Sequence, residues 1–122
     1  MTRRGFLVLG LLVVGLQCWG LYAPRPVDNS PDVPGLDKIV HLVMFAAPVW
    51  LLVKAGLNRL IVVAVFVVQA IFSEYAQGRW IAERGADVWD ALADLAGIGL
   101  GVALARSHTA RAGRDLPDRP SA

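Results

Sequence analysis

Four apolar runs, each bounded by charges, constrain this 122-residue chain more than any other feature. Phe6 to Ala23 contains no charge, and Ile39 to Val53 is interrupted only by His41. Leu60 to Ala76 carries Glu74 near its end, and Val88 to Ala105 carries Asp90 and Asp94 near its start. About 20 apolar residues suffice for a helix to cross the hydrocarbon core, and a helix satisfies its own backbone polar groups in lipid. No alternation of apolar and polar residues suggests barrel strands. The composition agrees: 56% of residues are hydrophobic and 18% charged, against about 25% charged in an average soluble domain. That balance argues against a soluble enzyme, a disordered chain and a nucleic-acid partner. One cysteine, Cys18, excludes an internal disulfide and a multi-cysteine metal site.

The expected fold is all-α: a bundle of four transmembrane helices with antiparallel neighbours. The spans cover about residues 6–23, 37–54, 60–77 and 88–105. Residues 1–106 form the membrane domain, and 107–122 read as a polar, disordered cytoplasmic tail. Pro24, Pro26, Pro31, Pro34 and Gly35 make the first loop irregular, and Ala55 to Asn58 is short enough for a tight turn. With the N-terminus inside, the inner segments hold Arg3, Arg4, Lys54, Arg59, Arg106, Arg111, Arg114 and Arg119. The outer segments hold Arg25, Lys38, Arg79 and Arg84. This bias puts both termini in the cytoplasm of a multi-pass inner-membrane protein. Thr2-Arg3-Arg4-Gly5-Phe6-Leu7 matches a twin-arginine export signal. However, Leu21-Tyr22-Ala23 is a poor cleavage site, and an uncleaved first span with a positive cytoplasmic anchor is expected.

The intramembrane ionisable residues fall at one depth. His41 lies roughly 6 Å below Asp37, Glu74 roughly 4–5 Å below Gln77, and Asp90 and Asp94 about 3 and 9 Å below the start of their span. Spans two and four enter from outside and span three returns there, so all four groups share a shallow layer of the outer leaflet. Asp87, Asp90, Asp94, Gly97 and Gly101 follow helical spacing and form one stripe. The glycines let a neighbouring helix approach closely. The expectation is a polar pocket open to the outer face above a dry, glycine-packed inner half. His41, Glu74 and Asp94 converge in it, with Asp37, Lys38, Gln77, Arg84 and Asp90 around the rim.

Structural readings compete with this one. Asp37 and Asp87 suit helix caps, Asp90 suits a first helical turn, and Gln17 and Gln69 suit a hydrogen bond between helices. Trp19, Trp50, Trp80 and Trp89 suit interface anchors, and Pro48 suits a kink in span two. Asp94 lies too deep for a cap, and Glu74 sits near a helix C-terminus, where negative charge opposes the dipole. An ionisable residue inside a span is a functional hypothesis by default.

These residues also carry a resemblance. Pro34 with Asp37-Lys38-x-x-His41, then Glu74-x-x-Gln77, then Arg84, Asp90, Gly97 and Gly101 are similar to the motif series of the VanZ-like family of small bacterial membrane proteins. Asp94 stands where that family's pattern has asparagine, and the spacing after Gln77 leaves Arg79 as the alternative arginine. The resemblance covers Pro34 to Gly101. It implies an integral membrane protein of the bacterial cell envelope and connects it with resistance to the glycopeptide antibiotic teicoplanin.

Three functions are compatible with these residues. The first is binding of the polar part of a lipid-linked or lipidated ligand, with the bilayer itself as partner. The second is an intramembrane enzyme in which His41, with Glu74 or Asp94, performs acid/base chemistry and Lys38 or Arg84 holds an anion. The third is a small multidrug-type transporter, ranked last because Phe6 to Ala23 contains no acid. His41, Glu74, Asp90 and Asp94 are metal-ligand types, but their sequence spacing is not diagnostic. No metal or cofactor is expected from the sequence.

Overall fold

The computed structural model describes residues 1–24, 33–81 and 85–114, and its secondary-structure elements there are all α-helices. They are α1 (Arg3–Tyr22), α2 (Leu36–Lys54), α3 (Arg59–Arg79) and α4 (Val88–Arg114). Each is long and apolar enough to cross a membrane, the spanning part of α4 being Val88–Ser107. The four expected spans are therefore four helices.

Local chemistry sets their ends. The Thr2 hydroxyl accepts from the Gly5 amide at 3.1 Å and caps α1. Asn58 caps α3, its side-chain oxygen accepting from the Leu60 amide at 2.9 Å. Gly56, at φ 93°, supplies the left-handed residue that the short turn between α2 and α3 needs. The cap expected of Asp37 falls instead to Gly35, whose φ of 80° swings the chain into α2 without a side-chain bond. Asp37 lies in the first turn, where its charge faces the positive end of the helix dipole. Asp87 does cap: its carboxylate accepts from the Trp89 amide at 2.9 Å and its carbonyl from Ala91 at 3.2 Å. Pro48 is buried inside α2, which runs unbroken from Leu36 to Lys54. At the other end of the chain α4 outlasts the expected boundary at residue 106 and stays helical to Arg114. Ala110, Arg111 and Ala112 are good helix formers, and the next proline is Pro117.

The bundle has the inside-out character of a protein whose solvent is lipid. Large aliphatic side chains such as Leu12, Leu16, Ile61, Val68 and Ile71 point outward, whereas Gln17, His41, Ser73, Glu74, Gln77 and Asp94 are buried. Ordinary soluble proteins bury such groups rarely and shield their aliphatic surface. The apolar core comprises Leu21, Phe45, Val49, Leu52, Val62, Phe66, Ala70 and Ile98.

α2 packs most extensively on α4. Glycine makes that approach possible. A β-carbon at Gly101 would lie 2.6 Å from the Ala46 carbonyl oxygen and 2.9 Å from Val49 Cβ, and one at Gly97 would collide with the Leu42 carbonyl. The expected glycine interface is thus realised, with α2 as its partner. Elsewhere Gly10 of α1 meets Leu51 and Leu52 of α2. Gln69 of α3 donates to Gln17 of α1 at 3.4 Å.

Candidate functional site

Three helices bring the ionisable residues together at the end of the bundle where α2 and α4 begin. α2 supplies Asp37, Lys38 and His41, one helical turn separating the first from the last. α4 supplies Asp90 and Asp94, again one turn apart, preceded by its cap Asp87. α3 supplies Glu74 from its last turns. The close α2–α4 contact at Gly97 continues directly into this group, so the aspartates of α4 face the histidine of α2.

The deepest pair is His41 and Asp94. His41 Nδ1 lies 2.8 Å from Asp94 Oδ1, and Asp94 is fully buried. With Asp94 ionised, its carboxylate only accepts, so Nδ1 carries the proton and Nε2 is left with its lone pair. Nε2 is 3.8 Å from Asp90 Oδ2, beyond hydrogen-bond range. Glu74 approaches from α3: a nitrogen of His41, an oxygen of Glu74 and an oxygen of Asp90 all lie within 4.8 Å of one another. Glu74 Oε2 accepts the Asp87 amide at 3.0 Å, which ties α3 to the entrance of α4. Glu74 Oε1 and Asp94 Oδ2 are buried and have no hydrogen-bond partner among the described residues.

Above this pair sits Lys38. Its ammonium lies 2.6 Å from Asp37, 2.8 Å from Asp87 and 2.6 Å from Asp90. An ammonium has three protons, and three carboxylates surround this one. The anion-holding role considered for Lys38 is therefore filled by the protein's own acids. Lys38 also holds the Asp87 carboxyl below the usual carboxylate range, with the Trp89 amide contributing in the same direction. Side-chain exposure rises steadily along the group, from 0% at Asp94 through 12% at Asp90 to about 40% at Asp37 and Asp87. The group is thus a graded column of charge, dry at its base and open at its top. Counted together, Asp37, Glu74, Asp87, Asp90 and Asp94 face one lysine and one histidine, a surplus of negative charge.

The expected site residues divide accordingly. His41, Glu74, Asp90 and Asp94 converge at the base, and Asp37 and Lys38 at the rim. Gln77 does not line the column as expected. It is buried, and its amide donates to the Leu21 carbonyl at 2.9 Å, binding α3 to α1. Arg84 lies outside the described residues, and Arg79 is the exposed last residue of α3. Two features escaped sequence reasoning. Asp87 bonds to α2, α3 and α4 at once through Lys38, Glu74 and the first turn of its own helix, whereas its position suggested a cap and a place on the α4 stripe. Ser73 is fully buried and returns its hydroxyl to the Ala70 carbonyl at 2.9 Å, a bond internal to α3. The signal available was its helical spacing, three residues after Ala70 and four before Gln77, which puts it on their buried face.

No protein-family model, no curated protein and no solved structure matches this chain.

Proposed function

We propose that this chain is a VanZ-like integral membrane protein of the bacterial cell envelope that receives the polar part of an amphiphilic or lipid-linked ligand at the outer end of its bundle. The observation carrying this reading is the graded column itself. Five carboxylates, a lysine and a histidine from three helices run from an exposed rim to a buried base. Keeping unpaired ions at membrane depth is expensive, so such groups mark ligand sites more often than they serve packing. The acidic surplus favours head groups that carry amino functions, a class that includes lipidated glycopeptides related to teicoplanin.

The proposed topology has both termini in the bacterial cytoplasm and sequential helices antiparallel, so that the column faces the outer leaflet. The eight-to-four distribution of Lys and Arg supports it. A reporter fused after Ala122 should be active only as a cytoplasmic reporter, and alkaline phosphatase activity there would overturn the assignment.

Ligand binding is tested by native mass spectrometry of the full chain in nanodiscs, offered membrane lipid extract and a lipidated glycopeptide. The wild type should retain a bound amphiphile. His41→Ala and Glu74→Gln should lose it while remaining inserted in the membrane. Equal retention by all three proteins sinks the reading. A second reading, acid/base chemistry on an envelope lipid, draws support from the 2.8 Å bond that orients His41 on Asp94. It is distinguished by a change in the mass of the bound lipid on incubation.

A further inference from the structure

The base of the column holds a set of atoms that amphiphile binding does not require. We propose that His41 Nε2, Glu74 and Asp90 form a binding site for a divalent transition-metal ion of the zinc or manganese type, with Asp94 as the residue that orients the histidine.

Four observations support the site. First, the donor atoms are suited to one ion. A nitrogen and two carboxylate oxygens from three helices lie within 4.8 Å of one another, and bonds of about 2.0–2.2 Å to a shared ion need only a small inward movement of side chains. The 3.8 Å between His41 Nε2 and Asp90 Oδ2 is too long for a hydrogen bond and close to the spacing of two ligands on one ion.

Second, the histidine is prepared as a ligand. Metal-bound imidazoles characteristically donate their other ring N–H to a carboxylate or carbonyl, which fixes the tautomer and raises basicity. The bond from His41 to Asp94 has this arrangement at 2.8 Å, and Asp94 is fully buried. The nitrogen left with a lone pair is the one that lies 3.8 Å from Asp90 Oδ2.

Third, a buried oxygen lacks a partner. Glu74 is 7% exposed, and its Oε1 has no hydrogen bond among the described residues although Oε2 is used by the Asp87 amide. An orphaned carboxylate oxygen is costly when buried. A cation between Glu74, Asp90 and His41 supplies the missing partner.

Fourth, the charge count favours a cation. Lys38 is shared among Asp37, Asp87 and Asp90, so Glu74 and Asp94 have no full counter-charge of their own. A dication balances the base without drawing Lys38 downward. The nitrogen ligand favours zinc over magnesium or calcium, which prefer all-oxygen sets, and the two carboxylates suit manganese. Three protein ligands leave coordination positions free, as in metal sites that receive an external group.

This inference goes beyond amphiphile binding and can fail separately from it, because the ion is measured with no amphiphile added. The full chain is purified in detergent, stripped with chelator, and titrated with Zn2+ or Mn2+ alone. The expected result is one ion per chain by elemental mass spectrometry. His41→Ala and Glu74→Gln should weaken binding at least ~10-fold, and Asp94→Asn about 10- to 100-fold through loss of orientation. Cys18→Ser and His108→Ala, which remove the chain's cysteine and its other histidine, should leave binding unchanged. No ion above buffer background in the wild type, or binding lost with Cys18 or His108 instead, overturns the site. Because buried variants sometimes fold poorly, the wild type supplies a second readout. Pulsed electron paramagnetic resonance of the Mn2+-loaded protein should show coupling to a histidine nitrogen, and its absence overturns the site equally. If the carboxylates at the base are balanced by protons instead, titration yields no stoichiometric ion and the proposal fails.

Discussion

The α2–α4 interface has two halves built on opposite principles. At one end the helices meet through charge, with Lys38, His41, Asp90 and Asp94 facing one another across the gap. One turn further along they meet through the absence of side chains, with Gly97 and Gly101 against the backbone carbonyls of Leu42 and Ala46. The difference shows how a small membrane protein affords buried ions. In lipid there is little hydrophobic drive between helices, and close van der Waals packing supplies the adhesion. The glycine half clamps the helices, and the polar half is then held at hydrogen-bonding distance. The clamp determines how far apart the charges stand.

The sharpest way to break this comparison is at the base of the polar half. Asp94→Ala removes the only direct hydrogen-bond partner that His41 has among the described residues. Breaking one partner of a buried pair should cost about 3–5 kcal/mol, read from thermal or denaturant unfolding of the protein in detergent. Asp94→Asn keeps a hydrogen-bonding group and should lose less. Equal losses for the two substitutions would mean that charge, rather than the hydrogen bond, holds the pair.

In the glycine half, Gly101→Ala should destabilise by about 1–3 kcal/mol, because the new methyl group meets the Ala46 carbonyl and Val49. Gly99 makes the natural control: nothing lies within 4 Å of its missing β-carbon. Gly99→Ala should be neutral or stabilising by up to about 1 kcal/mol from helix propensity alone. The opposite signs two residues apart would locate the clamp on one face of α4. Equal effects would remove it.

The smallest effect concerns the exposed rim. Lys38 lowers the Asp87 carboxyl below its usual value of 3.8. A carboxyl depressed on folding contributes stability that is fully present above the unfolded value and lost as pH falls through the folded one. The stability difference between wild type and Asp87→Asn should therefore be flat at neutral pH and shrink only in acid below 3.8. Screening at this exposed position should reduce it further as salt is added. A difference that changes well above that range would mean that a group other than Asp87 titrates.

Much of this arrangement was legible in the chain because periodicity carries it. The four apolar runs give the four helices, and the spacing of Asp90, Asp94, Gly97 and Gly101 gives one face of α4. The shared depth of His41, Glu74 and Asp94 follows from the rise per residue. What spacing does not contain is which faces meet. Glu74 and Gln77 stand one turn apart on α3, yet Glu74 turns toward α4 and Gln77 toward the backbone of α1. The saturation of Lys38 was equally hidden, since two of its three partners lie some 50 residues away in sequence. The helical extension to Arg114 was missed because polarity was taken to end the helix, whereas polarity ends only its passage through lipid.

The pairing of α2 with α4 also has a consequence for how the chain is made. These two helices are not consecutive: α3 is synthesised between them, and α4 emerges after both. Until it arrives, the nascent protein holds His41, Lys38 and Glu74 without Asp87, Asp90 and Asp94, and the backbone face of α2 at Leu42 and Ala46 stands uncovered. A chain truncated before Asp87 therefore keeps Lys38, His41 and Glu74 without the carboxylates that Asp87, Asp90 and Asp94 set against them. Translation through Gly101 is therefore what completes the cover over the α2 backbone at Leu42 and Ala46.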